Sequence, residues 1–190
     1  EDARVEDDVL SANRDFLVYD VSEFNGAAVG AEWLVPLGSY LEGGIGIGFS
    51  RRTVHSVYAD FVDNDGTEID QRLRLRLLPI AFTVRVIPTS QSSPIQPYFG
   101  AGLAVINWRY SESGEFLDFS DRTIFDETYV ATGSETGPVV LGGIRFVGDA
   151  ATGGFEIRYH KADGDLDNRF YVPKIDLGGW TYNFTVGLRF

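Results

Sequence analysis

The sequence predicts an all-β fold, an antiparallel up-and-down transmembrane β-barrel of about eight strands, built as one domain over residues 1–190. Three observations predict it. Apolar residues recur with period two in one segment after another, the opposite face carries glycine beside ionised side chains, and the connections alternate between short and long. No run of roughly 18 apolar residues is present, which excludes an ordinary membrane-spanning helix and leaves strands to do the spanning. Cysteine is absent, so packing and strand pairing must supply stability.

Residues 1–16 show no strong alternation and read as an acidic external loop or a partial first strand. The acidic start Glu1-Asp2-Ala3-Arg4 and the lack of methionine predict a processed secreted chain, or one trimmed from something longer. The first clear strand falls within 17–36, where Val29, Trp33 and Val35 oppose Gly30 and Glu32. In 40–58, Leu41, Ile45, Ile47 and Phe49 oppose Glu42, Gly44, Gly46, Gly48 and Arg52. In 71–87, Ile80, Phe82, Val84 and Val86 oppose Thr83 and Arg85, while Leu73, Leu75 and Leu77 alternate with Arg72, Arg74 and Arg76. With both leucine and phenylalanine runs facing outward, the register must slip, which predicts a bulge at Leu78-Pro79.

Four more strands follow, near 96–110, 137–147, 154–162 and 174–190. Phe99, Leu103 and Val105 alternate with Gly100 and Gly102; Val140, Ile144 and Phe146 with Gly143 and Arg145; Phe155, Ile157 and Tyr159 with Glu156, Arg158 and His160. The last strand runs Tyr182-x-Phe184-x-Val186-x-Leu188-x-Phe190. That makes seven strands where single-chain bacterial barrels use an even number. The expectation is that an eighth precedes Glu1, with a weak strand in 1–16 as the alternative. Short turns fall at 36–39, 88–96 and 148–153, and long loops at roughly 54–70, 111–136 and 161–173.

The second face decides the solvent arrangement. Bulky apolar groups suit lipid, whereas glycine leaves room inside a narrow barrel for long charged chains that neutralise one another. The candidates for this lumen ion-pair network are Glu32, Glu42, Arg52, Arg72, Arg74, Arg76, Arg85, Arg145, Glu156 and Arg158. A second reading makes Arg72, Arg74 and Arg76 a site for an anionic headgroup. Trp33, Trp108 and Trp180 are candidates for an interfacial aromatic girdle.

The terminal pattern Tyr182, Phe184, Val186, Leu188 and Phe190, together with Pro97-Tyr98-Phe99-Gly100-Ala101-Gly102, resembles the small bacterial outer-membrane β-barrel family that includes the OmpA transmembrane domain, OmpX and OmpW. The resemblance covers most of the chain in pattern and these two stretches in sequence. It implies eight strands, a place in the bacterial outer membrane, contact with outer-membrane lipids, and assembly by the barrel-insertion machinery through the C-terminal signal. It carries no catalytic residues.

The function expected is structural or surface interaction by a barrel with a filled charged lumen. The alternatives are a small channel or hydrophobic-solute conduit, a lipid-modifying barrel enzyme, or a soluble lipocalin-like carrier. His55 and His160 lack a recognisable nucleophile and orienting acid, so no catalytic site is assigned. The runs Asp163-x-Asp165-x-Asp167-Asn168 and Asp63-Asn64-Asp65-Gly66 depart from the calcium-loop pattern and read as turns; no metal and no cofactor is assigned. A net charge of −12 argues against nucleic acid. Loop 111–136, with Phe116, Leu117, Phe119, Ile124, Phe125, Tyr129 and Val130 among its acids, is too apolar for a solvated loop; three readings stand, that it folds over the barrel mouth, extends the sheet outside the membrane, or offers a partner-binding surface. It is the candidate surface for a protein partner, with the N-terminal edge as the other.

Overall fold

A computed structural model describes residues 8–63 and 66–189. In chain order, a short helix α1 (Val9–Ala12) leads into β1 (Leu17–Val18), β2 (Ala28–Pro36), β3 (Leu41–Val62), β4 (Glu68–Val86), β5 (Ile95–Leu117) and β6 (Ile124–Val147). Then come β7 (Ala151–His160), the small hairpin β8 (Asp163–Asp165) and β9 (Lys174–Asp176), and β10 (Gly179–Leu188). All except β8 and β9 join one antiparallel eight-stranded sheet in the order β1-β3-β4-β5-β6-β7-β10, with β2 also on β3. β1 pairs with Tyr58 and Val57 and β2 with residues 42–50, so both lie along one edge of β3 and the sheet has seven positions. The period-two pattern forms these strands in meander order because each hairpin pairs sequence neighbours.

Two sequence expectations need correction. The long loops at 54–70 and 111–136 are mostly strand: β3 and β4 run to Val62 and from Glu68, and β5 and β6 to Leu117 and from Ile124. Only 161–173 stays largely irregular. The bulge at Leu78-Pro79 is absent; β4 pairs β5 without a break from Gln71↔Gly114 to Val86↔Phe99. The one irregularity in the β3–β4 pairing lies between Val57 and Val62.

What changes along β4 is the surroundings. Residues 71, 73, 75, 81, 83 and 85 are all buried and share the inner face. In the half nearest the short turns that face carries Thr83 and Arg85, and Phe82 and Val84 stand outside, each 51% exposed. Toward the long hairpins Leu73 and Leu75 turn in, at 0% and 9% exposure, and Arg72, Arg74 and Arg76 point out. The lower half is thus apolar outside and polar inside, and the upper half has the reverse arrangement.

The upper half holds a conventional core. Ile106, Trp108 and Tyr110 of β5 pack with Val9 and Leu10 of α1 and with Phe170, Ile175 and Leu177 of the segment after β7. Leu17, Val54, Tyr58, Ile69, Leu73 and Leu117 form an adjoining cluster nearer the tip. Trp108, expected at an outer girdle, is 3% exposed and fills this core. Gly133 and Gly164 make the space; a Cβ on either would sit 2.7 Å from its indole. Of residues 1–16, those from Asp8 onward form α1 and a 3₁₀ turn rather than a strand, and Asp8 bridges to Lys174 at the upper end.

The margins of the sheet are β2 and β10. Both descend from the upper end to the lower, as their pairings with the ascending β3 and β7 require. Cutting Trp108 back to alanine should lower stability by about 3–5 kcal/mol in a urea melt, the usual cost of emptying a large core site. Trp180→Ala, on a side chain 57% exposed, should change it by less than about 1 kcal/mol.

Candidate functional site

Two regions of the interior gather chemistry. The lower one is a network of ion pairs contributed by five strands. Arg85 on β4 is 2% exposed, and its Nη2 donates to Glu32 of β2 at 2.5 Å and to Glu156 of β7 at 2.9 Å, with Glu42 of β3 at 3.7 Å. Arg145 on β6 donates to Glu42 at 2.8 Å and to the side-chain oxygen of Gln96 at 2.7 Å. Arg158 on β7 reaches Glu156 at 2.8 Å and Glu32 at 3.3 Å. The Tyr98 hydroxyl donates to Glu156 at 3.1 Å, and its ring lies under the Arg85 guanidinium, 4.9 Å from the centroid.

Three guanidiniums therefore face three carboxylates, and the cluster is formally neutral. Glycine opens the volume it occupies. A Cβ on Gly100 would meet Arg85 Cγ at 3.0 Å, one on Gly44 would meet Glu32 Oε1 at 3.0 Å, and one on Gly143 would meet the Tyr98 hydroxyl at 2.7 Å. The contact between Glu32 and Arg158 joins strands near the two margins, so the sheet is rolled tightly enough for its inner face to meet itself.

Of the ten expected interior residues, the structure brings six together: Glu32, Glu42, Arg85, Arg145, Glu156 and Arg158. Arg52 stands apart at the top of this face, with Nη2 3.5 Å from the Ala27 carbonyl oxygen. Arg72, Arg74 and Arg76 are corrected to the outer face, because the inner positions between them are taken by Leu73 and Leu75 of the upper core. Sequence reasoning missed Gln96 and Tyr98, which complete the network; both alternate in register with the expected inward glycines Gly100 and Gly102.

The upper region is an aromatic cavity of about 300 Å³ between the turn after α1, the β5–β6 hairpin and the segment before β9. Phe16, Tyr58, Phe116, Phe119, Phe125, Tyr129, Phe170 and Tyr171 line it, with Glu112 and Asn13 among them. Of the apolar residues of 111–136, Phe116, Leu117, Phe119, Phe125 and Tyr129 line this cavity, with Phe119 still 61% exposed. Glu112 is 7% exposed; its Oε1 accepts from Asn13 Nδ2 at 2.7 Å and from the Tyr110 hydroxyl at 2.8 Å. Burial pushes its carboxyl above the usual range, against the lowering effect of those two bonds. Burial likewise raises the Tyr110 hydroxyl.

His55 is exposed on the outer face, and His160 touches the Leu177 carbonyl oxygen at 3.1 Å. Asp165 pairs with Lys174 and Asp167 with Arg169. Among the described residues no three His, Asp or Glu side chains gather as metal ligands. In the C-terminal pattern Tyr182, Phe184, Val186 and Leu188 all stand outside on β10; Phe190 lies beyond the described residues. No protein-family model and no curated protein sequence matches the chain.

Replacing Arg85 with methionine leaves three carboxylates converging on one unfilled position, and stability should fall by about 3–5 kcal/mol in denaturant melts. Adding Glu156→Gln to that variant should restore part of the loss. For Glu112 the sign runs opposite to that of a paired carboxylate. Its folded-state pKa lies above the unfolded one, so its full contribution is present below the ordinary carboxylate range and falls as pH rises through the raised value. Glu112→Gln, which keeps both acceptor contacts, should flatten that pH dependence of the melting temperature and be no less stable than wild type at neutral pH.

Proposed function

We propose that this chain is an integral membrane β-barrel of the bacterial outer-membrane type, with a structural or surface-interaction role and a filled interior. The observation that carries the reading is the inverted lower half. Ile45, Phe82, Leu103 and Phe184 are 58%, 51%, 58% and 89% exposed, while Arg85, Glu42 and Glu156 beneath them are 2%, 5% and 2% exposed. In water that arrangement would leave a wide apolar surface uncovered and bury three charged groups for no gain. In lipid both faces are satisfied.

The outward apolar side chains form a band across all lower strands: Val29 and Trp33 on β2, Ile47 on β3, Val84 on β4, Phe99 on β5, Phe146 on β6, Ile157 on β7 and Val186 on β10. Trp33 and Trp180 lie on this outer surface, at 68% and 57% exposure. The neutral cluster around Arg85 fills the axis, which favours a closed barrel over a conduit. The upper half, with its own core and cavity, is the part suited to meeting partners above the membrane. This reading includes contact with outer-membrane lipids and assembly by the barrel-insertion machinery, and it gives the chain no catalytic role.

Lipids brominated on their acyl chains test it. In reconstituted vesicles they should quench Trp33 and Trp180 and spare Trp108, read from variants keeping one tryptophan each. Equal quenching of all three, or none, overturns the membrane reading. Heat-modifiable migration after extraction in mild detergent should accompany insertion.

A further inference from the structure

The outer face just above the apolar band carries a row of like charges that the interior network does not use. Arg51 of β3 lies directly opposite Arg76 of β4, and Arg76 directly opposite Arg109 of β5. Arg74 and Arg72 continue the patch upward, beside Thr53 and His55. All five arginines are exposed, and among the described residues none takes part in an ion pair. Arg74 Nε donates to the Thr53 hydroxyl at 3.3 Å. Directly opposed residues on adjacent antiparallel strands have Cβ atoms only about 5 Å apart, and like charges there repel. Three guanidiniums in a line across three strands make sense when an anion lies between them.

Position names the anion. Below the row on the same face stand Phe49, Leu78 and Asn107, and one step lower Ile47, Ile80 and Val105, where the apolar band spans all three strands. Above it the charge reverses, with Asp70 and Glu68 following Arg72 on the outer side of β4. The cations are thus confined to a stripe between hydrocarbon-facing residues and an acidic tip, in a chain whose net charge is −12. Planar guanidiniums grip phosphate with paired hydrogen bonds, and at a membrane border the available phosphate is a headgroup.

We propose that Arg51, Arg76 and Arg109 form a binding site for a phosphate-bearing anionic lipid headgroup of the leaflet facing the long hairpins, with Arg74 and Arg72 holding further anionic groups above it. This inference rests on the membrane reading.

The test uses the full chain folded in phosphatidylcholine bilayers, with and without a minor fraction of phosphatidic acid, and native mass spectrometry of the lipids it retains. Wild type should retain phosphatidic acid over phosphatidylcholine. The triple variant Arg51→Gln, Arg76→Gln, Arg109→Gln should lose that preference on the order of a hundredfold, about fivefold per guanidinium. Arg76→Gln alone, at the centre of the row, gives a second reading should the triple variant fail to fold. Equal retention of both lipids by wild type overturns the site, as does an unchanged preference in the folded triple variant or in Arg76→Gln. Displacement of phosphatidic acid by an equal concentration of inorganic phosphate overturns the headgroup as its ligand. Quenching of Trp33 and Trp180 by brominated phosphatidylcholine, which carries no net charge, reports insertion separately. Insertion with no lipid preference removes the headgroup site alone, and absence of insertion removes the membrane reading beneath it.

Discussion

Arg85 is within reach of Glu32, Glu42 and Glu156, carboxylates that arrive from three different strands. A guanidinium this deeply buried is tolerable only where its charge is cancelled and its donors find acceptors, and the same holds for each carboxylate around it. That requirement fixes much else. The strands must approach closely enough for opposite charges to meet, so glycine occupies Gly44, Gly100 and Gly143, where any side chain would fill the space. The sheet must roll tightly, which turns its other face outward along its whole lower length. The exposed hydrocarbon of the lower half is therefore the other side of a polar axis.

The upper half solves a different problem with the same strands. There the inner positions pass to Leu73, Leu75, Ile106, Trp108 and Tyr110, and α1 and the segment after β7 close over them. Apolar burial of this kind leaves the outer face to polar side chains, and Arg72, Arg74 and Arg76 stand there. Glu112 is an acid drawn in beside this core, and it keeps its place through Asn13 and Tyr110. A continuous strand such as β4 thus passes from one arrangement of faces to the other without changing its pairing.

Most of the strand order and the members of the ion-pair network were legible because period two is a local property and Glu or Arg among glycines is rare. The error at Arg72, Arg74 and Arg76 came from assuming one polarity for the entire strand. Leucines at 73, 75 and 77 and phenylalanine at 82 cannot all face outward in one register, so a bulge was inferred. In fact the odd-numbered positions stay inside from Gln71 to Arg85 and the environment inverts around them. Alternation states which residues share a face and is silent on what that face meets. Trp108 was misplaced for the same reason. The cavity around Glu112 was hidden because its walls come from the turn after α1, the β5–β6 hairpin and the segment before β9, which only the rolled sheet brings together.

The seven positions of the sheet carry a geometric debt. In a meander every strand reverses its predecessor, so an odd count leaves the outermost two pointing the same way, as β2 and β10 do. Sealed directly, they would form a parallel seam in an otherwise antiparallel wall. Among the described residues β10 has β7 as its neighbour on one side alone, and its Val186 and Leu188 stand 94% and 80% exposed.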